Sequence, residues 1–337
     1  MTTRMTGFDF ERPAGLPALR GLLARLGKEQ RRFTLAAGGT DLMPQLKQQQ
    51  LATEVLVSLN GVGELAGIEL ASDGTLRIGA LTRLAEVAES PLVRERQPAL
   101  AAVAARVGSP QIRNRATLGG NLLVNNRCVY VNQSPLNRTV HAPCFKVDGD
   151  VCHIVKSAVR GKLPQCQARF VSDTAPVLLL LDARLVLLRG RGERRVPLRR
   201  FYRNDGMERN VLKPGEVLGW IEVPPAGGLR IDYDKLAVRN ALDFPSLGVA
   251  VGVREDERGE PVELAVALTG LGTHPLHWRF ALVGGAAPAA VVAQACARAE
   301  KSVTTYQQDF FPRDYRKKMI GTFVRRGLRR LGRGAWT

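Results

Sequence analysis

The apolar and polar positions of the chain change period several times, and the first changes predict a small β-α-β unit. Apolar residues recur at helical spacing over residues 16–26. A short apolar run at 33–37 then leads into two glycines, and a helical pattern follows over 42–50. A second β-branched run covers 54–59. The pattern therefore predicts strand, glycine turn, helix and strand in close succession.

The middle of the chain mixes short strands with short helices. The pattern predicts strands at residues 76–80, 183–188, 194–198 and 217–223, and helices at residues 83–89, at residues 98–107 and directly after Asp173. Thr82 is placed to cap the helix that starts at residue 83. Pro176 falls in the first turn of the helix after Asp173, where proline is well tolerated. Two glycines between the second and third strands predict a hairpin.

The pattern changes again after the proline and glycine run at residues 224–228. Alternating apolar positions predict three strands, at residues 230–238, 246–254 and 262–269. The Ala-rich segment 287–299 predicts a helix. We therefore predict an α+β (α/β) chain of two domains, residues 5–225 and 229–331, the second with a three-stranded antiparallel sheet and helices.

Charge adds a question about partners. The 337 residues carry a formal net charge of +18, much of it at residues 313–318 and 325–333. Clustered Lys and Arg suit nucleic-acid phosphates, but no helix-turn-helix, zinc finger or aromatic-basic RNA motif accompanies them, so nucleic-acid binding is the less favoured alternative. Arg316, Lys317 and Lys318 before an apolar stripe instead indicate an amphipathic helix with a solvated basic face. An acidic partner subunit explains the charge equally well.

Targeting features are few. The first ten residues contain no apolar run that could serve as a signal peptide. The longest apolar run, residues 175–183, is much too short to cross a bilayer. These features predict a cytoplasmic protein without a membrane span. Clustered cysteines in that compartment more often bind metal or do chemistry than form disulfides.

The cysteines are concentrated in one segment rich in Gly, Pro, Asn and Asp. Four of the five lie there, namely Cys128, Cys144, Cys152 and Cys166. No Cys-x-x-Cys occurs, which disfavours a zinc ribbon. A loop of this length is unusual unless something holds it, and four thiolates on one iron–sulfur cluster would do so. The alternative is four unrelated cysteines. His141 and His153 are possible further ligands, although such neighbours more often orient ligands than bind.

Two diglycine motifs carry the second chemical signal. Residues 37–41 read Ala-Gly-Gly-Thr-Asp after a strand, and residues 115–121 read Arg-Ala-Thr-Leu-Gly-Gly-Asn. Such glycines let backbone N–H groups approach a pyrophosphate, whereas the alternative is a tight turn that only needs positive φ. Neither Gly-x-Gly-x-x-Gly nor a P-loop motif occurs, which disfavours both of those folds. Asp173 could accept hydrogen bonds from ribityl or ribose hydroxyls, or could cap the helix that follows.

The motifs at 37–41, 112–121, 172–173 and 233–239 resemble, in the same order, the FAD-binding subunits of the xanthine dehydrogenase (molybdenum hydroxylase) family. The resemblance covers nearly the whole chain. It implies a two-subdomain FAD-binding domain of the molybdenum hydroxylase flavoprotein type, with FAD between the subdomains and the C-terminal domain. It also implies that Asp173 binds near the ribityl chain and that Lys235 approaches the flavin. The implied diphosphate-binding residues are Leu35, Ala36, Ala37, Gly38, Gly39, Thr40, Asp41, Leu42, Ala116, Thr117, Leu118, Gly119, Gly120 and Asn121.

Within that family, the cysteine segment (residues 122–171) is similar to a segment of the β subunit of 4-hydroxybenzoyl-CoA reductase, which carries an additional 4Fe–4S cluster. The resemblance implies two cofactors, FAD and a 4Fe–4S cluster, the latter held by Cys128, Cys144, Cys152 and Cys166. It implies as partners a molybdopterin-bearing large subunit, a 2Fe–2S small subunit and a ferredoxin-like electron donor or acceptor.

The predicted function is therefore electron transfer within a molybdenum enzyme that removes a hydroxyl group from an aromatic CoA thioester. Another member of the same family is the alternative, a flavin subunit of an aldehyde, xanthine or CO dehydrogenase-type complex. An alternative of another class is a basic iron–sulfur protein that binds nucleic acid. No residue of this chain is predicted to be catalytic, because no Ser/His/Asp arrangement or pair of carboxylates stands out, and the substrate chemistry is assigned to a partner subunit.

Overall fold

The computed structural model describes residues 5–147, 149–155, 157, 166–239, 241–282 and 287–337. Within these ranges the strands form three sheets, of three, five and four strands. Single turns of 3-10 helix occur at Leu59–Gly61, Gly63–Leu65, Phe145–Val147, Leu198–Arg200 and Gly334–Trp336. No described helix combines the length and the hydropathy that a membrane crossing requires.

The N-terminal sheet is parallel and has the order β1-β3-β2. It contains β1 (Asp9–Glu11), β2 (Phe33–Ala36) and β3 (Val55–Ser58), connected by α1 (Leu16–Lys28) and α2 (Leu42–Lys47). A buried leucine stripe on α1 packs with Val55 and Val57, because helical spacing aligns those leucines on one face. The predicted β-α-β unit is confirmed, with α2 ending earlier than the pattern indicated.

The central sheet is antiparallel and has the order β4-β5-β8-β6-β7. Its strands are β4 (Ile68–Leu70), β5 (Leu76–Gly79), β6 (Arg184–Arg189), β7 (Gly192–Pro197) and β8 (Val217–Val223). β6 and β7 form the predicted hairpin. Because β5 pairs with β8, a strand that precedes the cysteine segment lies beside one that follows it. Residues before and after the cysteine segment therefore form one sheet.

Seven helices of the described residues lie between β5 and β6 along the chain. They are α3 (Leu84–Glu89), α4 (Pro91–Arg96), α5 (Pro98–Ala105), α6 (Pro110–Arg113), α7 (Leu118–Leu122), α8 (Pro135–Arg138) and α9 (Thr174–Leu180). The prediction that Thr82 caps α3 is wrong. The Thr82 hydroxyl instead donates to the Gly67 carbonyl at 2.9 Å and accepts from the Gly67 N–H at 3.0 Å. Arg83 is the N-cap residue, and its N–H donates to the Glu86 carboxylate at 2.9 Å.

The C-terminal sheet is antiparallel and has the order β12-β11-β10-β9. Its strands are β9 (Leu229–Leu236), β10 (Leu247–Glu255), β11 (Pro261–Thr269) and β12 (Leu276–Ala281), and the helices that follow are α10 (Pro288–Ser302) and α11 (Arg313–Arg330). The three predicted strands are confirmed. β12 is a fourth strand that was not predicted, although its residues alternate between apolar and polar types.

Helices cover both faces of the C-terminal sheet. Leu247, Val249 and Val251 of β10 pack with the apolar residues of α10 and α11. Ala250, between them, faces the other way and belongs to the core that contains α9. Every residue of α9 is buried. This helix therefore lies between the central part of the molecule and the C-terminal sheet, and it places Asp173 at their junction.

The basic C-terminal helix is amphipathic as predicted, but one residue was assigned to the wrong face. Ile320, Phe323 and Val324 of α11 are buried against the sheet. Arg316 was expected on the solvated basic face, yet its side chain is fully buried and donates to the carbonyl oxygens of Gly270 at 3.3 Å and Tyr306 at 2.6 Å. Arg316 therefore contributes buried hydrogen bonds to the fold and does not lie on the solvated face.

Candidate functional site

The first glycine loop, residues 37–41, joins β2 to α2 and packs directly on the second glycine loop, residues 115–121. A Cβ on Gly38 would lie 1.9 Å from the carbonyl oxygen of Arg115, so only glycine fits at this contact. Gly39 has a φ of +75°, in the region that favours glycine. The two motifs that were predicted to share one cofactor therefore meet in the structure.

The two loops differ in the use of their backbone N–H groups. In the second glycine loop the N–H groups of residues 118–121 are all bonded within the protein, and that of Gly120 donates to the Thr117 hydroxyl at 3.0 Å. In the first glycine loop, no hydrogen bond among the described residues uses the N–H groups of residues 38–41. The first loop thus offers the backbone donors that an anion can accept.

Asp41, at the start of α2, is bonded to neighbours on both sides. Its carboxylate accepts from Gln45 Nε2 at 2.6 Å and from Arg127 Nη1 at 2.9 Å. Burial raises the pKa of Asp41 above its ordinary value, and the guanidinium of Arg127 opposes that rise. Burial also lowers the pKa of Arg127. The pair connects the first glycine loop to the residue that directly precedes Cys128.

Asn121, at the end of the second glycine loop, serves as a cap for α9. Its carbonyl Oδ1 accepts from the Ser172 hydroxyl at 2.7 Å, from the Thr174 hydroxyl at 2.7 Å and from the Thr174 N–H at 3.2 Å. The Ser172 hydroxyl in turn accepts from the N–H of Ala175 at 3.2 Å. Both residues satisfy donors at the helix start.

Asp173 occupies the N-cap position of α9, but its side chain makes no capping bond, so the capping alternative is wrong. Its carboxylate accepts from the Tyr233 hydroxyl at 2.9 Å and lies 3.2 Å from Lys235 Nζ. Burial raises the pKa of Asp173, and Lys235 and Tyr233 oppose that rise. Burial and the adjacent carboxylate raise the pKa of Tyr233 well above its ordinary value. Asp173 therefore joins α9 to β9.

Lys235 is enclosed by oxygen atoms. Besides Asp173, its Nζ donates to the carbonyl oxygens of Arg106 and Asp243, each at 3.2 Å. Its side chain is 8% exposed. An ammonium group with three acceptors has a fixed position at the junction between the two halves of the molecule.

All four predicted cysteines line one cavity, here named the cysteine cavity. Its other lining residues include Lys146, His153 and Gln167. The four thiols are free, Cys128 and Cys166 buried and the other two half-buried. Among the described residues no group of three or more His, Cys, Asp or Glu side chains converges to hold a single metal ion. The structure thus gathers the predicted ligands, and metal binding stays a prediction.

Burial dominates the electrostatics of the cysteine cavity. It raises the pKa of Cys128 to about 12, and the other three cysteines add to that rise. Burial likewise raises the pKa of Cys166, which Lys146 opposes. The pKa of Lys146 is lowered to about 8 by burial, and its Nζ donates to the Gly206 carbonyl at 2.5 Å. The cavity that is lined by the four cysteines is therefore also lined by a buried lysine.

The two histidines of the segment pack with an aromatic ring. The rings of Tyr130, His141 and His153 lie 4.8 to 5.4 Å apart, centroid to centroid. His153 Nε2 lies 2.7 Å from the carbonyl oxygen of Ala142. His141 does not line the cysteine cavity, and His153, which does, has one ring nitrogen at the Ala142 carbonyl, so supporting roles are favoured over ligation for both.

The cysteine segment is attached to α2, the helix of the first glycine loop. Asn125 Nδ2 donates to Gln45 Oε1 at 2.6 Å, and Arg138 Nη1 donates to the Gln48 carbonyl at 2.9 Å. The pair of Asp41 and Arg127 adds a third connection. The two candidate sites are therefore neighbours that share one helix.

Sequence reasoning missed several residues of these sites. Lys146 and Gln167 gave no signal, and Tyr233 was noted only as part of the motif at 233–239, because their importance comes from burial beside Asp173 or the cysteines. Arg127 could have been noticed, since a charged residue directly before a predicted ligand often contacts its surroundings. The partners of Asn121 depend on the return of the chain at Ser172, which no local pattern reveals.

Comparisons with known proteins identify the family. Residues 6–226 match the family model described as the FAD binding domain in molybdopterin dehydrogenase. The match confirms the predicted family and FAD as a cofactor. The similar proteins support the predicted alternative, a flavin subunit of an aldehyde, xanthine or CO dehydrogenase-type complex, better than the predicted reductase of aromatic CoA thioesters.

The similar proteins belong to dehydrogenases and oxidoreductases. The aldehyde oxidoreductase FAD-binding subunit PaoB of Escherichia coli is 33% identical over 72% of this chain and 76% of its own length. The carbon monoxide dehydrogenase medium chain of Afipia carboxidovorans is 28% identical over 96% of both chains. The structure of carbon monoxide dehydrogenase from Hydrogenophaga pseudoflava superposes with a TM-score of 0.73 at 25% identity, covering 97% of each chain. The chain belongs to the FAD-binding subunits of the molybdopterin dehydrogenase family.

Proposed function

We propose that the chain is the flavin subunit of a complex of the aldehyde, xanthine or CO dehydrogenase type, and that it carries electrons between partner subunits. Relatives named as FAD-binding subunit and medium chain support this proposal. The observation that carries it is the contact of the two glycine loops at Gly38 and Arg115, beside unbonded backbone donors. FAD, when bound, exchanges electrons singly or in pairs, and the residues of this chain bind and orient it.

The FAD contacts are part of the proposal. We assign the diphosphate to residues 35–42, because the N–H groups of residues 38–41 have no partner among the described residues. Residues 116–121 support that loop, since most of their own donors are bonded within the protein. Asp173 and Lys235 lie at the junction where the ribityl chain and the flavin ring would meet the C-terminal domain. The proposed domains are residues 5–225 and 229–331.

We further propose that Cys128, Cys144, Cys152 and Cys166 hold a 4Fe–4S cluster, as in the resemblance to 4-hydroxybenzoyl-CoA reductase. The support is that all four line one cavity. In a cluster each thiolate binds a different iron, so the sulfurs do not converge on one point as they would around a single ion. Buried thiols of raised pKa would otherwise stay protonated, and iron coordination deprotonates them.

The proposed partners follow from the family. They are a molybdopterin-bearing large subunit, a 2Fe–2S small subunit and a ferredoxin-like carrier, and the net charge of +18 favours acidic partner surfaces. A reductase of aromatic CoA thioesters is the second candidate, and the four-cysteine cavity is the observation that favours it. Turnover of an aromatic CoA thioester by the purified complex, against turnover of aldehydes and purines, separates the two.

The experiment that tests the proposal is a spectrum of this chain, purified anaerobically and separated from its partner subunits because their 2Fe–2S clusters absorb in the same range, with iron and flavin quantified. We expect FAD and a broad iron–sulfur absorbance in the native protein. Cys144→Ser should remove the iron–sulfur absorbance and leave FAD bound, because the glycine loops lie outside the cysteine segment. Cys296→Ser is the matched control, since Cys296 is buried in α10, far along the chain from the segment.

Three outcomes are informative. Flavin without iron in the native chain refutes the cluster and retains the flavin subunit. Iron without flavin refutes the flavin assignment and would favour the nucleic-acid alternative. Loss of FAD with retention of iron in Cys144→Ser refutes the assignment of FAD to the glycine loops and of iron to the cysteines.

A further inference from the structure

One of the residues that line the cysteine cavity has a buried side-chain amide nitrogen without a hydrogen-bond partner. Gln167 is 7% exposed, follows Cys166 directly and lines the cavity. Its Nε2 is among the buried side-chain atoms that no described group bonds. A buried donor without an acceptor is unfavourable, because folding removes its bonds to water. Such a group, on a residue that lines the same cavity as four cysteines, is consistent with an acceptor in that cavity.

The backbone around Gln167 is held on three sides. The Gln167 carbonyl accepts from Gln308 Nε2 at 2.9 Å. The N–H of Cys166 donates to Asp205 at 3.2 Å, and the Ala168 carbonyl accepts from Asn126 Nδ2 at 2.9 Å. These bonds fix the backbone on both sides of the residue. The position of Gln167 in the cavity wall is therefore fixed by its main chain.

The other nitrogen donor in the cavity differs in this respect. Lys146 Nζ already donates to the Gly206 carbonyl at 2.5 Å. Glycine is required at 206, because a Cβ there would lie 2.7 Å from the sulfur of Cys166. Gln167 is thus the donor in this cavity that the described residues leave without an acceptor.

We infer that Gln167 Nε2 donates a hydrogen bond to a sulfur atom of the centre held by the four cysteines, and so raises its reduction potential. The inference rests on the proposed cluster. Sulfur carries more negative charge in the reduced state, so a donor stabilises that state more than the oxidised one. Gln167 would act as a positioning and tuning residue and not as a ligand, since its amide takes no part in electron exchange.

The test is an EPR-monitored redox titration of the holoprotein and three variants. Gln167→Met keeps the length of the side chain and removes the donor. Gln167→Glu keeps the shape and places a negative charge in its position. Gln308→Met is the control for backbone position, because it removes one of the three bonds that hold the backbone around Gln167 and leaves the other two, and Gln308 does not line the cavity.

We expect Gln167→Met to lower the ratio of reduced to oxidised cluster at a fixed solution potential on the order of tenfold, a shift of about 59 mV for one electron. Gln167→Glu should shift it further in the same direction, and Gln308→Met should leave the native value. A native potential in Gln167→Met overturns the inference alone. Absence of any cluster in the native protein overturns the proposed cluster itself.

A second measurement on the native protein avoids dependence on the variants. Protein labelled with 15N in its glutamine side chains should show a weak nitrogen coupling in the pulsed EPR spectrum of the reduced cluster. That coupling should persist in Gln308→Met. Native protein without the coupling would contradict a bond from Gln167 to the cluster.

Discussion

Removal of the Lys235 ammonium gives the sharpest test of the junction between the two halves of the molecule. Lys235→Met keeps a side chain of similar length and leaves the Asp173 carboxylate buried with Tyr233 as its remaining donor. Breaking a buried pair by removal of one partner costs about 3–5 kcal/mol. The two side chains are 8% and 3% exposed, so solvent screening reduces this value little. We expect a loss of about 3 kcal/mol in the free energy of unfolding at neutral pH.

The pH dependence follows from the direction of the Asp173 pKa. Burial already raises that pKa in the folded chain, and Lys235 opposes the rise. Without Lys235 the folded pKa rises further, so the folded variant binds more protons than the unfolded chain above the ordinary aspartate value of about 3.9. Its stability therefore falls as pH rises through that window. The penalty should be small near pH 4 and largest above the folded pKa.

The assay is denaturant unfolding of the FAD-free chain at several pH values, since weaker FAD binding would otherwise change the apparent stability. The double variant Lys235→Met with Asp173→Asn serves as control. It removes both charges, so it should recover most of the loss. A penalty that does not change with pH, or a double variant as unstable as Lys235→Met, would refute the reasoning.

Three further changes test other parts of the structure. Gly38→Ala should weaken FAD binding at least tenfold, because its Cβ would lie 1.9 Å from the Arg115 carbonyl. Equilibrium titration with FAD measures the dissociation constant. Gly63→Ala is the control, because no atom lies within 4 Å of a Cβ at that position. Glu216→Gln should lower the free energy of unfolding by about 1 kcal/mol at pH 7, because Arg194 depresses the Glu216 pKa. The stability difference between the native chain and the variant should vanish as pH falls through the depressed pKa of Glu216. A stability difference that stays constant with pH would contradict this prediction. Gly206→Ala should reduce bound iron and retain FAD, because the added Cβ would meet the Cys166 sulfur at 2.7 Å; unchanged iron content by chemical analysis would refute it.

Local patterns predicted the elements that form from neighbouring residues. The β-α-β unit around the first glycine loop and the hairpin of β6 and β7 follow from periodicity and turn residues alone. The partners of distant strands did not follow, because β5 pairs with β8 across the entire cysteine segment. Thr82 was wrongly predicted to cap α3, because the hydroxyl of a threonine before a helix can also bond a neighbouring backbone segment. Here it accepts a hydrogen bond from the Gly67 N–H.

In the candidate sites, too, local patterns revealed some features and the fold was needed for the others. The glycine motifs pointed to a phosphate-binding loop, but only the fold distinguishes the first loop, with its N–H groups unbonded, from the second. Arg316 was placed on a solvated face because charge patterns do not reveal which arginine finds buried carbonyl acceptors. Gln167 is an ordinary residue in the sequence. Its burial without a partner is visible only once the cysteines surround it.

The base of the cysteine segment explains how such a segment fits within a flavin-binding fold. The chain leaves the second glycine loop at Asn121 and returns at Ser172, where the two side chains bond at 2.7 Å. Just inside this contact, Arg127 and Arg169 pair as an antiparallel bridge through both of their N–H groups. The polar contacts at its base bring the two ends of the segment together, so the path of the chain around α9 is set by residues outside the segment. A segment with a closed base can acquire cysteines and a cavity of its own while the glycine loops keep their geometry, and the bond of Arg127 to Asp41 places that cavity beside the first glycine loop.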